Sequence, residues 1–282
     1  MEYRWHKQGE LLLKEMEETR PSPGTAAVWY LGQMGIMIKG CGMTLCFDPV
    51  LNDLRYPDGT SRRNYAPPFT GAQLTNLDYV ICSHNHADHI NMETLKPLHH
   101  ANPDARFIVP APETETLTKG GIASKAVMGA RQKVSLELAE KVWLHPVAAA
   151  HETYVEDEHG DQKNLGYILE LDGIRFYHAG DTLVTEKLIS DVKEKGPIHM
   201  TFLPVNGVDS ERHRRGILGN MDCRDGAFFA EQIDADMVFP MHCDMVKKNE
   251  ENPLFFAHYM QCLYPGRKYH IMQLGERVIY MK

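Results

Sequence analysis

The sequence lacks the cysteine pattern of a disulfide-stabilised or zinc-ribbon protein. Its 282 residues include six cysteines, and no two of them are arranged as Cys-x-x-Cys. Cys46 and Cys82 lie in apolar runs, where a free cysteine behaves as a small hydrophobic side chain. Because a chain without a disulfide framework suits a reducing compartment, we predict a cytoplasmic protein.

Long apolar runs are missing as well. The segment from Met1 to Met16 is charged and has no continuous apolar stretch, which argues against a secretory signal peptide. No window approaches the roughly 18 consecutive apolar residues of a membrane-spanning helix. The sequence therefore predicts a protein with no membrane partner.

An excess of positive charge is the third absence. Lysine and arginine total 30 against 38 aspartates and glutamates, a formal net charge of −8. Nucleic-acid-binding domains usually carry a basic surface, so this balance makes a nucleic-acid partner an unfavoured prediction. Hydrophobic residues make up 43% of the chain, enough for a large core, and we expect one domain over residues 1–282.

The order of apolar segments predicts an α+β protein. Antiparallel strands come first and alternating strands and helices follow, twice over, so two sheets packed face to face with helices outside would satisfy the pattern. A hairpin forms around Asp172-Gly173, and Asp222 is expected to cap a helix. Strands are predicted at 26–31, 36–38, 43–47, 79–82, 107–109, 142–149, 165–171, 174–178, 200–205 and 237–241, and helices at 10–18, 92–98, 183–193, 224–233 and 253–262.

The most specific motif is His84-x-His86-x-Asp88-His89, directly after a predicted buried strand. On an extended segment, residues two apart point the same way, so His84 and His86 can reach one cation together. The chain then turns, which brings Asp88 and His89 to a neighbouring position. Imidazole and carboxylate ligands suit Zn²⁺, Mn²⁺ or Fe. The alternative is a histidine-rich polar loop, but sites are commonly built at strand ends.

Further candidate ligands follow other predicted strands. His151, Asp181 and His242 each stand just after a strand, although a lone histidine or a Gly-Asp turn is more often structural. Their joint placement at strand ends favours a shared metal centre.

The motif, His151, Gly180-Asp181-Thr182 and His242 together resemble the metallo-β-lactamase superfamily in order and spacing. The resemblance implies a four-layer αβ/βα sandwich with metals at one edge. It implies that His84, His86 and His151 hold a first metal and that Asp88, His89 and His242 hold a second, with Asp181 bridging them. One or two divalent ions per chain, Zn or Mn, are expected as cofactors.

A narrower resemblance is to the bacterial L-ascorbate-6-phosphate lactonase group. It is carried by Pro23-Gly24-Thr25, Trp29-Tyr30-Leu31-Gly32, Gly35-Ile36, Ser83-His84-Asn85-His86 with Asp88-His89-Ile90, and Pro240-Met241-His242-x-Asp244. This resemblance implies opening of a lactone of a phosphorylated sugar acid, and it makes a homo-oligomer a reasonable expectation.

A bound metal lowers the pKa of water from about 15.7 to near 7 and so supplies hydroxide at neutral pH. For a lactone, hydroxide attacks the ester carbonyl while the metal steadies the oxyanion. Asp88 or Asp181 would orient the nucleophile and take its proton, with Asp88 preferred. Asp48 and His178 are candidates for holding the metal-binding imidazoles from behind; the alternative for Asp48 is a turn-forming residue before Pro49.

The loop over residues 206–220 supplies a local positive cluster in an acidic chain. Arginine grips phosphate in bidentate fashion, so a small phosphorylated substrate is predicted, although a solvated surface loop is the simpler reading for any one arginine. The residues predicted to bind substrate are Asn206, Arg212, Arg214 and Arg215, and those of the earlier loop expected at the same mouth are Tyr56, Arg62, Arg63 and Tyr65.

Three functions remain open at this point. The first is a metal-dependent hydrolase of a small phosphorylated or acidic substrate, with a sugar-acid lactone favoured. The second is a phosphodiesterase or nuclease of the same fold, because one metal centre serves both carbonyl and phosphoryl attack. The third is a non-catalytic metal-binding sensor, which fold analogy alone does not exclude.

Overall fold

Fourteen strands form two sheets in the computed structural model, which describes residues 3–282. The first sheet has the strand order β14-β1-β2-β3-β4-β5-β6. Its strands are β1 (Thr25–Gly32), β2 (Gly35–Gly40), β3 (Met43–Phe47), β4 (Tyr79–Ile81), β5 (Arg106–Pro110), β6 (Val127–Ala130) and β14 (Arg277–Met281).

The second sheet has the order β13-β12-β11-β10-β9-β8-β7. Its strands are β7 (Leu136–Ala139), β8 (Val142–Ala148), β9 (Leu165–Leu171), β10 (Ile174–His178), β11 (Met200–Pro204), β12 (Met237–Met241) and β13 (Lys268–Tyr269).

Each sheet is antiparallel in one half and parallel in the other. Strands β3 to β6 pair in parallel in the first sheet, and β10 to β13 do so in the second. Parallel strands place their carboxyl ends at one edge of a sheet, and such edges are where α/β proteins build their sites. The loops after β3, β4, β10 and β12 therefore carry most of the functional residues described below.

Strand alternation divides the apolar residues of β1 between two layers. Val28 and Tyr30 face the second sheet, whereas Ala27 and Trp29 face the helices on the other side. This is the period of two that a pleated strand imposes. All four are buried, as expected of a strand covered on both faces.

Aromatic side chains fill the space between the sheets. Phe47 of the first sheet meets Tyr167 of the second at a ring-centroid distance of 6.5 Å. Within the second sheet, Phe202 and Phe239 stack at 5.0 Å, and Phe176 is buried beside them. Truncating such a buried ring to alanine costs about 3–5 kcal/mol, so this layer is a main source of stability.

Helices cover the outer face of each sheet. α1, α2 and α3 pack on the first sheet through residues such as Leu12, Leu95 and Leu117, and α4, α6 and α7 pack on the second through residues such as Leu188 and Phe256. The four-layer αβ/βα sandwich is confirmed.

The helices are α1 (Gly9–Glu18), α2 (Met92–Ala101), α3 (Thr114–Lys119), α4 (Glu186–Lys193), α5 (Ser210–Arg214), α6 (Cys223–Gln232) and α7 (Leu254–Leu263). No helix within residues 3–282 has the length and apolar content that a bilayer crossing requires.

Helix caps explain where the structure agrees with the predicted boundaries and where it departs from them. Asp222 caps α6 by accepting hydrogen bonds from two backbone N–H groups, as predicted. α4 begins at Glu186 rather than at residue 183, because the Thr185 side chain accepts from the Leu188 N–H. The predicted basic loop contains α5, which Asp209 caps. Strands β6 and β7 were not predicted.

Candidate metal centre

The first group of candidate ligands gathers side chains from three loops. His84 and His86 follow β4, His151 follows β8, and Asp181 follows β10. Their ligand atoms all lie within 4.8 Å of one another. Nε2 of His84 is 3.0 Å from Nδ1 of His86, and Oδ2 of Asp181 is 3.9 Å from Nε2 of His84 and 3.8 Å from Nε2 of His151. Three imidazoles and one carboxylate thus face a common volume.

The second group lies beside the first. It consists of Asp88, His89 and His242, whose ligand atoms also lie within 4.8 Å of one another. Nε2 of His242 is 3.5 Å from Oδ2 of Asp88. Asp181 stands between the groups, since its Oδ1 is 3.3 Å from Nε2 of His89 and its Oδ2 is 3.3 Å from Nε2 of His242. The structure therefore brings together all seven residues that the sequence analysis assigned to the metal set.

Two buried atoms in the middle of this arrangement have no hydrogen-bond partner among residues 3–282. They are Nε2 of His89 and Oδ1 of Asp181. A buried polar atom left unpaired costs free energy, and a cation between the two groups would satisfy both atoms. The nitrogen and oxygen donors match those that bind Zn²⁺ or Mn²⁺ in proteins. The residues present thus fit a divalent metal centre.

Asp48 holds His89 from behind. Its Oδ2 is 2.7 Å from Nδ1 of His89, and its Oδ1 accepts a hydrogen bond of 2.8 Å from the Ser83 N–H. Asp48 is fully buried. Because Nδ1–H of His89 donates to this carboxylate, Nε2 is the nitrogen that faces the metal side, and it would give up any proton it carries when a metal binds. Asp48 thus lies where the sequence analysis expected it, at the end of β3.

Two more histidines have the same arrangement. The Ser83 hydroxyl donates to Oδ2 of Asp48 at 2.6 Å and lies 3.0 Å from Nδ1 of His84, from which it can accept. Nδ1 of His151 lies 3.2 Å from the carbonyl oxygen of Gly219. In both rings, a protonated Nδ1 leaves Nε2 free to bind a metal.

His178 lies one layer further back. Its Nε2 donates to the Met34 carbonyl at 2.8 Å and is 4.0 Å from Oδ2 of Asp48, while its ring stacks on Phe47 at 5.2 Å. His178 therefore lies behind Asp48 rather than beside the ligand atoms, and its hydrogen-bond partners are the Met34 carbonyl and the backbone N–H of Gly180 at 3.4 Å.

The carboxylates and imidazoles of the two groups compensate one another's charge. Burial alone lowers the pKa of His242, but Asp181 and Asp88 outweigh it and raise that pKa to about 9. Burial likewise opposes ionisation of Asp181, yet His242 and His89 hold its pKa well below the usual range. Burial, followed by the charge of His89, holds the pKa of His84 well below its ordinary value, so this imidazole is neutral, the form that binds metal.

Gln33 is a site residue that the sequence analysis missed. Its side-chain Nε2 donates to Oδ2 of Asp88 at 2.8 Å and lies 3.0 Å from Nε2 of His242. Its backbone carbonyl accepts a hydrogen bond of 3.0 Å from the backbone N–H of His242. Gln33 has a positive φ of 59°, in the turn between β1 and β2. A polar side chain in a glycine-flanked turn at a strand end was the available signal.

Asp244 is a second site residue for which the sequence predicts no role. Its Oδ1 accepts from the Gln33 N–H at 3.2 Å, and its Oδ2 accepts from the Tyr30 hydroxyl at 2.6 Å. Asp244 thereby fixes the turn that presents Gln33 to Asp88. Its position two residues after His242 was the signal.

Five of the seven candidate ligands form the floor of a cavity of about 800 Å³, namely His86, Asp88, His151, Asp181 and His242. The rest of the lining comes from the loop after β3, the loop after β11 and the segment after β12, and it includes Tyr56, Arg62, Arg215, Gly216, Ile217, Leu218, Val246, Lys247 and Asn249.

Three of the four residues predicted to bind substrate lie elsewhere. Arg212 donates to the Asn206 carbonyl at 2.6 Å and pairs with Asp209 at 2.6 Å, because it closes the turn around α5. Asn206 is fully buried and accepts from the Asn220 amide. Arg214 is exposed and lies beside a different depression of the surface. Only Arg215 of this set lines the cavity.

The residues predicted at the mouth from the earlier loop also differ in position, since some line the cavity and others are buried. Arg63 is buried and donates to the carbonyls of Val50, Asn52 and Tyr65, so it holds the loop's path. Tyr65 is buried as well. Arg62, one position earlier, lines the cavity.

Comparison with known proteins identifies the family. Residues 44–243 match the family described as "Beta-lactamase superfamily domain", which is well over half of the chain. The chain belongs to the metallo-β-lactamase superfamily. It is 22% identical over 286 residues to the probable L-ascorbate-6-phosphate lactonase UlaG of Salmonella paratyphi B, which covers 87% of this chain and 77% of that protein.

A second relative of this chain is the N-acyl-phosphatidylethanolamine-hydrolyzing phospholipase D 1 of Caenorhabditis elegans. The two are 24% identical over 197 residues, which covers 66% of this chain, and the chain spans 55% of the length of that relative. Among solved structures, Igni18, a metallo hydrolase from Ignicoccus hospitalis, superposes with a TM-score of 0.68 at 20% identity over 92% of this chain and 99% of its own. The comparisons and the cluster of histidines and aspartates make this chain a metal-dependent hydrolase of that superfamily.

Proposed function

We propose that this chain opens the lactone ring of a small, phosphorylated sugar acid. The observation that carries the proposal is the pair of ligand groups, joined by Asp181, at the floor of a cavity large enough for a sugar-sized molecule. The similarity to the probable lactonase of Salmonella, which runs over 87% of this chain, supports a lactone as the substrate class.

We assign His84, His86 and His151 to one divalent ion, and Asp88, His89 and His242 to a second, with Asp181 shared between them. Zn or Mn suits this set of nitrogen and oxygen donors. When bound, such an ion polarises a carbonyl oxygen and lowers the pKa of water.

Among the carboxylates, Asp88 is the better general base. It lines the cavity with 16% of its side chain exposed, whereas Asp181 is 4% exposed and faces four imidazoles. Asp88 can therefore accept a proton from a water molecule in the cavity, while Gln33 donates to its Oδ2 and fixes its orientation. The ester carbonyl would lie toward the ligand groups and the remainder of the substrate toward the mouth.

Phosphodiester hydrolysis is the second candidate. The relative from Caenorhabditis elegans is named for hydrolysis of a phospholipid, and the same donor set serves phosphoryl attack. The shared region covers 66% of this chain.

The test is a substrate panel assayed with protein of known metal content. Elemental analysis first measures Zn, Mn and Fe in the purified chain. Phosphorylated and unphosphorylated aldonolactones, phosphodiesters and β-lactams are then assayed with the wild type, His86→Ala and His100→Ala. We expect lactone opening by the wild type and by His100→Ala, since His100 is exposed on α2, and loss of at least about 100-fold in His86→Ala.

Two results would change the proposal. Turnover of phosphodiesters but not of lactones would favour the second candidate. Full activity of His86→Ala would contradict the assignment of the metal centre, and no turnover of any compound by metal-loaded wild type would favour a sensor.

A further inference from the structure

We infer that the cationic mouth of the cavity, defined as Arg62, Arg215 and Lys247, binds an anionic group of the substrate remote from the bond that is cleaved. The identity of the rest of the substrate rests on the proposed function. The binding of the anion itself rests on the charge, the contacts and the placement of these three side chains.

The charges that line the cavity are unevenly distributed. Among residues 3–282, the carboxylates that line the cavity are Asp88 and Asp181, and both belong to the ligand groups at the floor. Every other charged side chain apart from the histidines is a cation: Arg62, Arg215 or Lys247. A chain with a net charge of −8 thus presents an anion-attracting rim at this one opening.

None of the three cations has a counter-charge within residues 3–282. In the described part of the chain, no carboxylate lies within 4.0 Å of Arg62, Arg215 or Lys247, whereas Arg55, in the same loop as Arg62, pairs with Asp53 at 2.7 Å. Arg62 contributes to the cavity lining, so its uncompensated guanidinium charge faces the opening. An oxyanion in the cavity would neutralise this charge and could accept hydrogen bonds from the guanidinium.

Hydrogen bonds hold the three segments that carry these cations next to one another. The backbone N–H of Lys247 donates to the backbone carbonyl of Arg62 at 2.8 Å, which joins the segment after β12 to the loop after β3. Nη1 of Arg215 donates to the Lys248 carbonyl at 3.3 Å and so joins the loop after β11. The Arg62 guanidinium also lies 5.6 Å from the centre of the Tyr56 ring. The mouth is thereby organised before any ligand arrives.

The charge balance indicates a phosphate group. A phosphomonoester carries about −1.5 to −2 charges at pH 7 and offers three acceptor oxygens, which suits three cations better than a single carboxylate does. Arginine provides bidentate contacts to phosphate, and lysine adds a point charge. Because a carboxylate shares the oxyanion chemistry, the experiment includes both.

Binding is measured by titration calorimetry on metal-loaded protein with glycerol 3-phosphate, glycerate and glycerol. The variants Arg62→Gln, Arg215→Gln and Lys247→Gln remove one charge each, and Arg55→Gln and Lys248→Gln are matched controls outside the cavity lining. We expect each mouth variant to weaken glycerol 3-phosphate binding about tenfold, the usual effect of losing a charge-assisted contact. The controls should stay within about twofold of the wild type.

The outcomes separate this inference from the proposed function. Unchanged glycerol 3-phosphate affinity in all three mouth variants would overturn the inference, even if the wild type opens lactones. Weakened binding in those variants, together with no lactone opening by the wild type, would support the anion site and reject the lactonase. Tighter binding of glycerate than of glycerol 3-phosphate would reject phosphate as the preferred anion.

Discussion

At the scale of single residues, the candidate metal centre depends on histidines whose two ring nitrogens have different surroundings. Nδ1 of His89 faces the carboxylate of Asp48, and Nε2 of the same ring faces the carboxylate of Asp181. The hydrogen bond between Asp48 and Nδ1 of His89 therefore leaves Nε2 as the nitrogen available to a metal. Asp48 itself has a positive φ of 39°, an uncommon backbone conformation, directly after β3.

Asp48→Asn should lower metal affinity about 10- to 100-fold, because an amide lacks the charge that holds Nδ1–H of His89. Affinity is measured by competition with a chromogenic chelator. Asp78→Asn is the control, since Asp78 accepts a backbone N–H at the other end of β4. Wild-type affinity in Asp48→Asn would contradict this role.

Gly180 is the second residue on which the site depends. It has a φ of 59°, and an added Cβ would lie 2.7 Å from Cβ of Ser83 and 2.9 Å from the Leu165 carbonyl oxygen. Ser83 in turn donates to Asp48. A side chain at position 180 would therefore displace both Asp181 and the support of His89.

Gly180→Ala should lower the free energy of unfolding by about 1–3 kcal/mol more than Gly160→Ala does. Gly160 also has a positive φ, 80°, but nothing lies within 4 Å of its missing Cβ, so it controls for backbone strain alone. Urea unfolding of the metal-free proteins measures the difference. Equal losses of unfolding free energy in the two variants would show that the atoms around position 180 move away from the added methyl group without a measurable cost.

At the scale of elements, α1 is joined to the first sheet by a partly buried polar contact as well as by apolar packing. The Trp29 indole donates to Oε1 of Glu15 at 3.0 Å, and Lys7 pairs with the same carboxylate. Burial raises the pKa of Glu15, but the hydrogen bonds from Lys7 and Trp29 outweigh it and hold that pKa below the ordinary value of 4.5.

A carboxyl whose folded pKa is lowered stabilises the fold above its ordinary pKa, and the contribution is lost as the pH falls through the folded value. Glu15→Gln should therefore lower the melting temperature near neutral pH, and the difference from wild type should narrow below pH 4.5. Glu18→Gln, at an exposed pair with Lys14, is the control. A difference that stays constant with pH would contradict the ion pair's role.

At the scale of the whole molecule, the candidate ligands come from both halves of the sandwich. His84, His86, Asp88 and His89 follow a strand of the first sheet, whereas His151, Asp181 and His242 follow strands of the second. Ions bound between them would link the two sheets at one edge.

Removing the metal should therefore lower the melting temperature. A ligand at 100 times its dissociation constant stabilises the folded state by about 2.7 kcal/mol, which corresponds to roughly 5 °C for a chain of this size. Thermal unfolding is compared before and after chelation and after Zn or Mn is restored. His86→Ala should show a smaller shift, and a wild type unaffected by chelation would argue against a stabilising ion.

The sequence by itself determined most strands of the two sheets and most helix boundaries, because these depend on local periodicity. The hairpin at Asp172-Gly173 and the cap at Asp222 are examples, since each depends on neighbours along the chain. It also indicated that the seven candidate ligands meet, through their positions at strand ends and through the resemblance to the metallo-β-lactamase superfamily. Strands β6 and β7 were missed because they are short and only partly buried.

Only the tertiary structure decided which cations face the cavity. Arg62 and Arg63 are adjacent, yet one lines the opening and the other holds the loop beneath it. Arg212 and Arg215 divide in the same way. Irregular loops have no repeating direction of side chains, so the path of each loop, set by contacts with distant segments, decides which charge reaches the substrate.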